Sequence, residues 1–233
     1  MVNNSCKYLA WDSDFFKKKI FRVEIKKEEE ISKLSELFNS VSFDLMYVFS
    51  TIELNLNFTF NFFLADKKII FYKKISPNSD RVQIPEIISV SKTSNQLYEL
   101  AFLSGAFSRF KLDPILSDKF EQLYMLWLEK SLSKEIASEV FVYNDGNNEI
   151  GFITIKKVEN LAIIGLLAVD TLYAGKNIGT SLMRTVENWC INNGVNEIEV
   201  ATQIDNINAC NFYRKNGYIT KQIDYIYHYY SEK

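Results

Sequence analysis

A single histidine, His228, stands in 233 residues, which excludes any metal centre built on two imidazoles and leaves a Ser-His-Asp triad only this residue. It lies in the aromatic run Tyr225-Ile226-Tyr227-His228-Tyr229-Tyr230, where a strand residue with a satisfied ring is the expected role. The three cysteines, Cys6, Cys190 and Cys210, are far apart, odd in number and outside any metal-ligand spacing. Reduced thiols in a cytoplasmic protein without a metal are the reading that fits. Three prolines are all that punctuate the chain, and neither repeats nor low-complexity linkers occur. No run approaches the roughly 20 apolar residues of a membrane span, and the polar opening Met1-Val2-Asn3-Asn4-Ser5 lacks the apolar segment of a signal peptide. An excess of one charge is missing too, since the net charge is −2. The basic runs Lys17-Lys18-Lys19 and Lys26-Lys27 are answered by Glu28-Glu29-Glu30, so nucleic acid is not an expected partner.

What is present is a folding composition, 47% hydrophobic and 15% aromatic. Short alternating runs at 21–25 and 68–72 predict strands, and Ile31, Leu34, Leu37 and Phe38 give a helix over 28–39 one apolar face. The chain turns at Asp113-Pro114, which divides it into an α/β domain over 1–113 and a second domain over 114–233. In the second, Phe120, Leu123, Tyr124, Trp127 and Leu128 mark an amphipathic helix after Ser117. Strands follow at 139–143, 149–156 and 161–169, the first two joined by the turn cluster Asn144-Asp145-Gly146-Asn147-Asn148. A helix over 178–193, stopped by Gly194, precedes a strand at 197–201, a short helix at 207–216 and a last strand region at 218–230.

The junction Leu167-Ala168-Val169-Asp170-Thr171-Leu172-Tyr173-Ala174-Gly175-Lys176-Asn177-Ile178-Gly179-Thr180 takes an apolar strand through a loop straight into a helix. Amides at a helix start have no internal acceptor and the helix dipole favours an anion there. Gly175 and Gly179 admit a bulky group close to the backbone, so a pyrophosphate cradle and a plain strand–helix turn are both compatible with the loop. It is not a nucleotide P-loop, because no GK[ST] closes it, and it lacks a full GxGxxG. One strand later comes Asn206-Ile207-Asn208-Ala209-Cys210-Asn211-Phe212-Tyr213-Arg214-Lys215-Asn216-Gly217-Tyr218.

Together, in this order, the two segments resemble the acetyl-CoA motifs of the GNAT superfamily of N-acetyltransferases. The first family pattern, Arg/Gln-x-x-Gly-x-Gly/Ala, falls on Ala174 to Gly179, with Ala174 in place of Arg/Gln and Asn177 in place of the first Gly. Asn tolerates a left-handed backbone, so the loop shape can survive, and Lys176 is placed to replace the lost side chain. The resemblance implies a GNAT fold in the C-terminal half, preceded by a smaller, incomplete GNAT-like α/β domain that helps form the acceptor cleft. It implies acetyl-CoA as co-substrate, held by the main chain at Leu167, Ala168 and Val169, by Ala174, Gly175, Lys176, Asn177, Ile178, Gly179 and Thr180, and by Asn206 and Ala209. It also places on Tyr213 the acid that protonates the departing CoA thiolate, chemistry suited to a phenol with an ordinary pKa near 10. Glu149, Asp170 and Glu199 are candidates for the base by type alone, and a water chain would serve equally.

Trp11-Asp12-Ser13-Asp14-Phe15-Phe16 and the segment from Leu100 to Pro114 resemble one subfamily, that of TDP-fucosamine acetyltransferase. The implied acceptor is the amine of a 4-amino-4,6-dideoxy sugar on TDP or UDP. Arg109, beside Phe110, can pair with a phosphate and stack on a flat ring, or it can brace the domain junction; Phe15 and Phe16 read as core. Relatives of this type pair, which makes a homodimer the implied assembly. A different amine acceptor, or a CoA-binding regulatory module without turnover, are the competing functions.

Overall fold

The computed structural model describes residues 6–54, 61–76 and 83–231; the opening segment Met1-Val2-Asn3-Asn4-Ser5 lies outside them. In chain order the elements are β1 (Cys6–Tyr8), α1 (Ala10–Phe16), β2 (Ile20–Ile25), α2 (Ser32–Ser40), β3 (Leu45–Ser50), β4 (Phe62–Lys74), β5 (Ile87–Ser89), α3 (Asn95–Ser104) and α4 (Arg109–Leu112). There follow α5 (Phe120–Leu132), β6 (Glu139–Asn144), β7 (Glu149–Val158), β8 (Leu161–Val169), α6 (Ile178–Asn192), β9 (Glu197–Gln203), α7 (Ile207–Lys215) and β10 (Ile219–Tyr230). The predicted helix at 28–39 is split, with a 3-10 turn at Glu28–Glu30 ahead of α2, and a second such turn at Ser117–Lys119 leads into α5.

The chain forms two compact units, one of Met1–Ile69, Gln203–Asp205 and Gln222–Lys233, the other of Ile70–Thr202 and Asn206–Lys221. This division differs from the boundary read at Asp113. The two helices just ahead of that residue, α3 and α4, belong to the second unit, where α3 packs on α5, β7 and β8.

In the first unit the strand order is β1-β2-β3-β10-β4. β2 and β3 are parallel and joined through α2, and β10 runs antiparallel to β3. Leu34 and Leu37 of α2 bury against Val23, Ile25, Met46, Val48 and Tyr227, so the predicted apolar face is the one used. The phenol of Tyr227 is not left unsatisfied, since it accepts the Leu54 N–H at 2.8 Å. His228 is a strand residue as expected, fully buried, its ring 4.8 Å from that of Tyr47. Phe16 is core and Phe15 half-buried, stacked on Trp11.

In the second unit the order is β4-β9-β8-β7-β6-β5. β5 to β8 form antiparallel neighbours, whereas β8 and β9 are parallel and connected by α6. Ile178, Leu182, Met183, Val186 and Cys190 line the buried side of α6, which packs on β6, β7 and β8. Gly194 ends it with φ of 67°, the left-handed backbone expected there.

Candidate functional site

Every residue that the sequence assigns to acetyl-CoA lies in the second unit. The first element of the site is a parting of strands. β8 pairs with β9 only from Leu161 opposite Glu197 to Ile164 opposite Val200, while its pairing with β7 continues as far as Val169 opposite Gly151. The Asp170 N–H donates to the Ile150 carbonyl at 2.9 Å. Because backbone groups alternate sides along a strand, the amides of Ala168 and Asp170 face β7. Those of Leu167 and Val169 face the side from which β9 has diverged. A polar chain laid along that edge would find strand-like donors and acceptors.

The second element is the loop into α6. Asp170 accepts the Leu172 N–H at 2.9 Å and so closes a tight turn. Gly175 has φ of 77° and Asn177 has φ of 59° with ψ of 11°, so the asparagine does adopt the left-handed conformation. The first bond of α6 runs from Ser181 N–H to the Asn177 carbonyl, 2.9 Å. The amides of Ile178, Gly179 and Thr180 precede that bond and have no acceptor within the helix, and the Asn177 side chain does not cap them. Lys176 is exposed and lies 4.5 Å from the Tyr173 ring, whose hydroxyl donates to Asp145 at 3.0 Å. Ala174 offers no polar side chain. Three oriented amides, a left-handed approach and one lysine fit a pyrophosphate.

The third element is α7. Asn206 caps it, accepting the Ala209 N–H through Oδ1 at 3.1 Å, so this side chain holds the start of the helix. Tyr213 is 5% exposed, with ring contacts to Phe71, Phe212 and Tyr218 at 5.5, 5.3 and 6.2 Å. Burial, and secondarily Cys210, pushes its phenol well above the ordinary tyrosine range. A phenol so held is a proton donor throughout neutral pH. The C-terminal end of α7 is fixed by Lys73, which donates to Glu187 at 2.7 Å and to the Asn216 carbonyl at 3.0 Å. Tyr218 donates to the same Glu187 oxygen at 3.3 Å. Nothing in the motif spacing pointed to Lys73 or Glu187.

The remaining assignments divide. Phe110 is 8% exposed and packs edge-on to Trp127 at 5.7 Å, so its ring serves the core. Arg109 lies 4.3 Å over that ring and is half-buried. Each carboxylate offered as a base already has a partner: Glu149 accepts from Ser94, Asp170 holds the turn, and Glu199 is paired with Lys221. Thr154 is a buried polar residue inside an apolar strand, and no motif marks it in the sequence. Among the described residues no group of three or more His, Cys, Asp or Glu is arranged to hold a metal, and no helix is long and apolar enough to cross a membrane.

Residues 106–218 match the Acetyltransferase (GNAT) family, so this stretch is a GNAT acetyltransferase domain. The surrounding architecture agrees. An acetyltransferase of the GNAT family from Colwellia psychrerythraea superposes with a TM-score of 0.53 at 13% identity, over 88% of this chain and 72% of that one. Streptothricin acetyltransferase A of Bacillus subtilis is 34% identical over 98 residues, 42% of this chain and 57% of that protein. The dTDP-fucosamine acetyltransferase of Escherichia coli is 28% identical over 123 residues, 52% of each. The chain thus spans about half the length of these curated relatives.

Proposed function

We propose that the protein transfers the acetyl group of acetyl-CoA to the amine of a nucleotide-linked 4-amino-4,6-dideoxyhexose. The observation that carries acetyl transfer is the convergence in one unit of an open β8 edge, an anion-fitted start of α6 and a buried, protonated Tyr213 on a capped α7. The amine nitrogen adds to the thioester carbonyl, the C–N bond forms, and the intermediate expels sulfur as the C–S bond breaks. The N–H of Leu167 or Val169 stabilises the oxyanion. Tyr213 gives its proton to the thiolate, and the ammonium proton leaves to solvent. Tyr213 is regenerated by proton return from water.

The sugar acceptor is supported by the similarity to the dTDP-fucosamine acetyltransferase, together with Arg109, whose guanidinium suits a nucleotide phosphate. A second acceptor class is favoured by a specific observation, the 34% identity to streptothricin acetyltransferase A. Free-thiol release from acetyl-CoA tests both. TDP-4-amino-4,6-dideoxygalactose and its gluco epimer are the sugar acceptors, and streptothricin is the competing amine. Turnover with either sugar above that with streptothricin supports the proposal. The reverse order overturns the sugar assignment, and acetyl-CoA binding without turnover of any of the three overturns both acceptors in favour of a protein or other small amine or a regulatory CoA module.

A further inference from the structure

The β7–β8 ladder is interrupted at one place, and a side chain fills the interruption. Ile155 pairs with Ile164 and Ile153 with Leu167, so one residue of β7, Thr154, faces two of β8, Gly165 and Leu166. The phase on each side is fixed by neighbours. The Ile155 carbonyl accepts the Ser138 N–H at 2.6 Å and therefore faces β6, which makes Ile164 a residue whose backbone groups face β9. Beyond the bulge the β9-facing residues are Leu167 and Val169, as the Asp170–Ile150 bond requires. One extra residue has switched the facing positions from even to odd.

The switch leaves the amides of Gly165 and Leu166 both directed at Thr154, whose main chain supplies one carbonyl. The Leu166 N–H is taken instead by the Thr154 hydroxyl, 2.9 Å away. Thr154 is 2% exposed, within a strand whose Phe152, Ile153 and Ile155 are fully buried, so the hydroxyl is the acceptor that the fold supplies there. Gly165 makes room for it: a β-carbon there would lie 2.9 Å from Thr154 Oγ1.

We propose that Thr154 and Gly165 form a positioning pair that stabilises the bulge and so aims the Leu167 N–H at the acetyl carbonyl. This rests on the acetyl-transfer reading above. Without the hydroxyl, the Leu166 amide is buried and unsatisfied. The strand is relieved by slipping to a regular register, which turns the Leu167 amide toward β7 and away from the thioester. Thr154 touches no reacting atom; it acts through the strand opposite.

The test is isotope-edited infrared spectroscopy of acetyl-CoA labelled with carbon-13 at the thioester carbonyl, bound to the full chain and to Thr154→Val, Thr154→Ser and Gly165→Ala. No acceptor is needed, so the result is independent of the sugar assignment. The carbonyl stretch is expected at lowered frequency in the unaltered protein and the serine variant, and near its free position in the other two. In thiol release, kcat is expected to fall about 10-fold or more in the valine and alanine variants and to stay within about two-fold in the serine variant. A folded valine variant that keeps the lowered frequency and full kcat overturns the proposal. Loss of both in the serine variant overturns it as well, because the hydroxyl is retained there; these two arms remain decisive if the alanine variant does not fold. Failure of the unaltered chain to bind acetyl-CoA overturns the acetyl-transfer reading itself and this role with it.

Discussion

Gly179, in the first turn of α6, faces the ring of Phe212 on α7 so closely that a β-carbon on the glycine would lie 3.0 Å from the ring edge. The glycine of the proposed acetyl-CoA loop therefore has a second reason to be small. It lets the loop helix touch the residue immediately before Tyr213, so the proposed anion-binding turn and the proposed acid share one packing contact. Gly179→Leu is expected to lower stability by about 1–3 kcal/mol through overpacking and to reduce both acetyl-CoA affinity and kcat. Calorimetric titration beside thermal melting checks this; normal stability and normal affinity together would contradict the contact.

Tyr213→Phe keeps the ring among Phe71, Phe212 and Tyr218 and removes only the hydroxyl. The expected result is a fall in kcat of roughly 10²-fold or more, with acetyl-CoA affinity nearly unchanged. Steady-state kinetics and direct binding separate the two quantities. An unchanged rate would remove the acid role and return Tyr213 to the core.

Much of this was legible from the sequence. The second unit could be read strand by strand because its signals agree: β7 and β8 are apolar runs, α6 carries a clean stripe from Ile178 to Cys190, and Gly194 stops it. The two motifs then fall on the ends of α6 and α7, where the structure puts them. The first unit was harder. Leu45–Ser50 is buried on both faces of its sheet, so it shows no alternation, and a short apolar run of that kind does not distinguish strand from helix. The amides and the phenol proposed for the site come from the two motifs, whereas its supports do not. Lys73, Thr154 and Glu187 act through partners far away in sequence, and no local pattern encodes those contacts.

Asn206 ties the start of α7, and its loss tests whether that tie positions the acid. Asn206→Ala removes the acceptor of the Ala209 N–H and is expected to cost about 1 kcal/mol, visible as a lower thermal midpoint. Asn206→Ser, which can still cap, should recover most of it. Equal losses in both variants would show that the asparagine matters through its other amide atom.

The phenols of Tyr213 and Tyr218 are both held above the ordinary range by burial, with Cys210 adding for the first and Glu187 for the second. Unfolded tyrosines lose their protons near pH 10, whereas these two keep them when folded. Above that pH the unfolded chain binds fewer protons than the folded one, so stability declines as pH rises. Below about pH 10 this contribution is fully present. Denaturant melts across that range should show the decline, and Tyr213→Phe should make it shallower; an equal slope in the variant would mean that Tyr213 does not contribute.

The cysteines bear on the thiol-release assay. Burial, with help from Glu187, pushes the Cys190 thiol up to about 12, and Cys210 is 2% exposed. Cys6 is only half-buried, with its thiol also raised by burial. A disulfide-exchange dye at mild alkaline pH should therefore label Cys6 slowly and the other two only in denaturant. Rapid labelling of Cys190 in the native protein would contradict its placement on the buried side of α6.

β3 pairs on one side with β2, which is made just before it, and on the other with β10, where Leu45 meets Tyr230 and Ser50 meets Tyr225. A ribosome delivers the whole second unit between those partners. Until β10 emerges, then, the nascent chain carries Leu45-Met46-Tyr47-Val48-Phe49-Ser50 with one edge unpaired, an apolar segment without charge or proline and a ready template for a neighbouring chain. The second unit can close on its own schedule, but the first waits until β10 has been made, so yield should depend on how slowly and how cool the protein is produced.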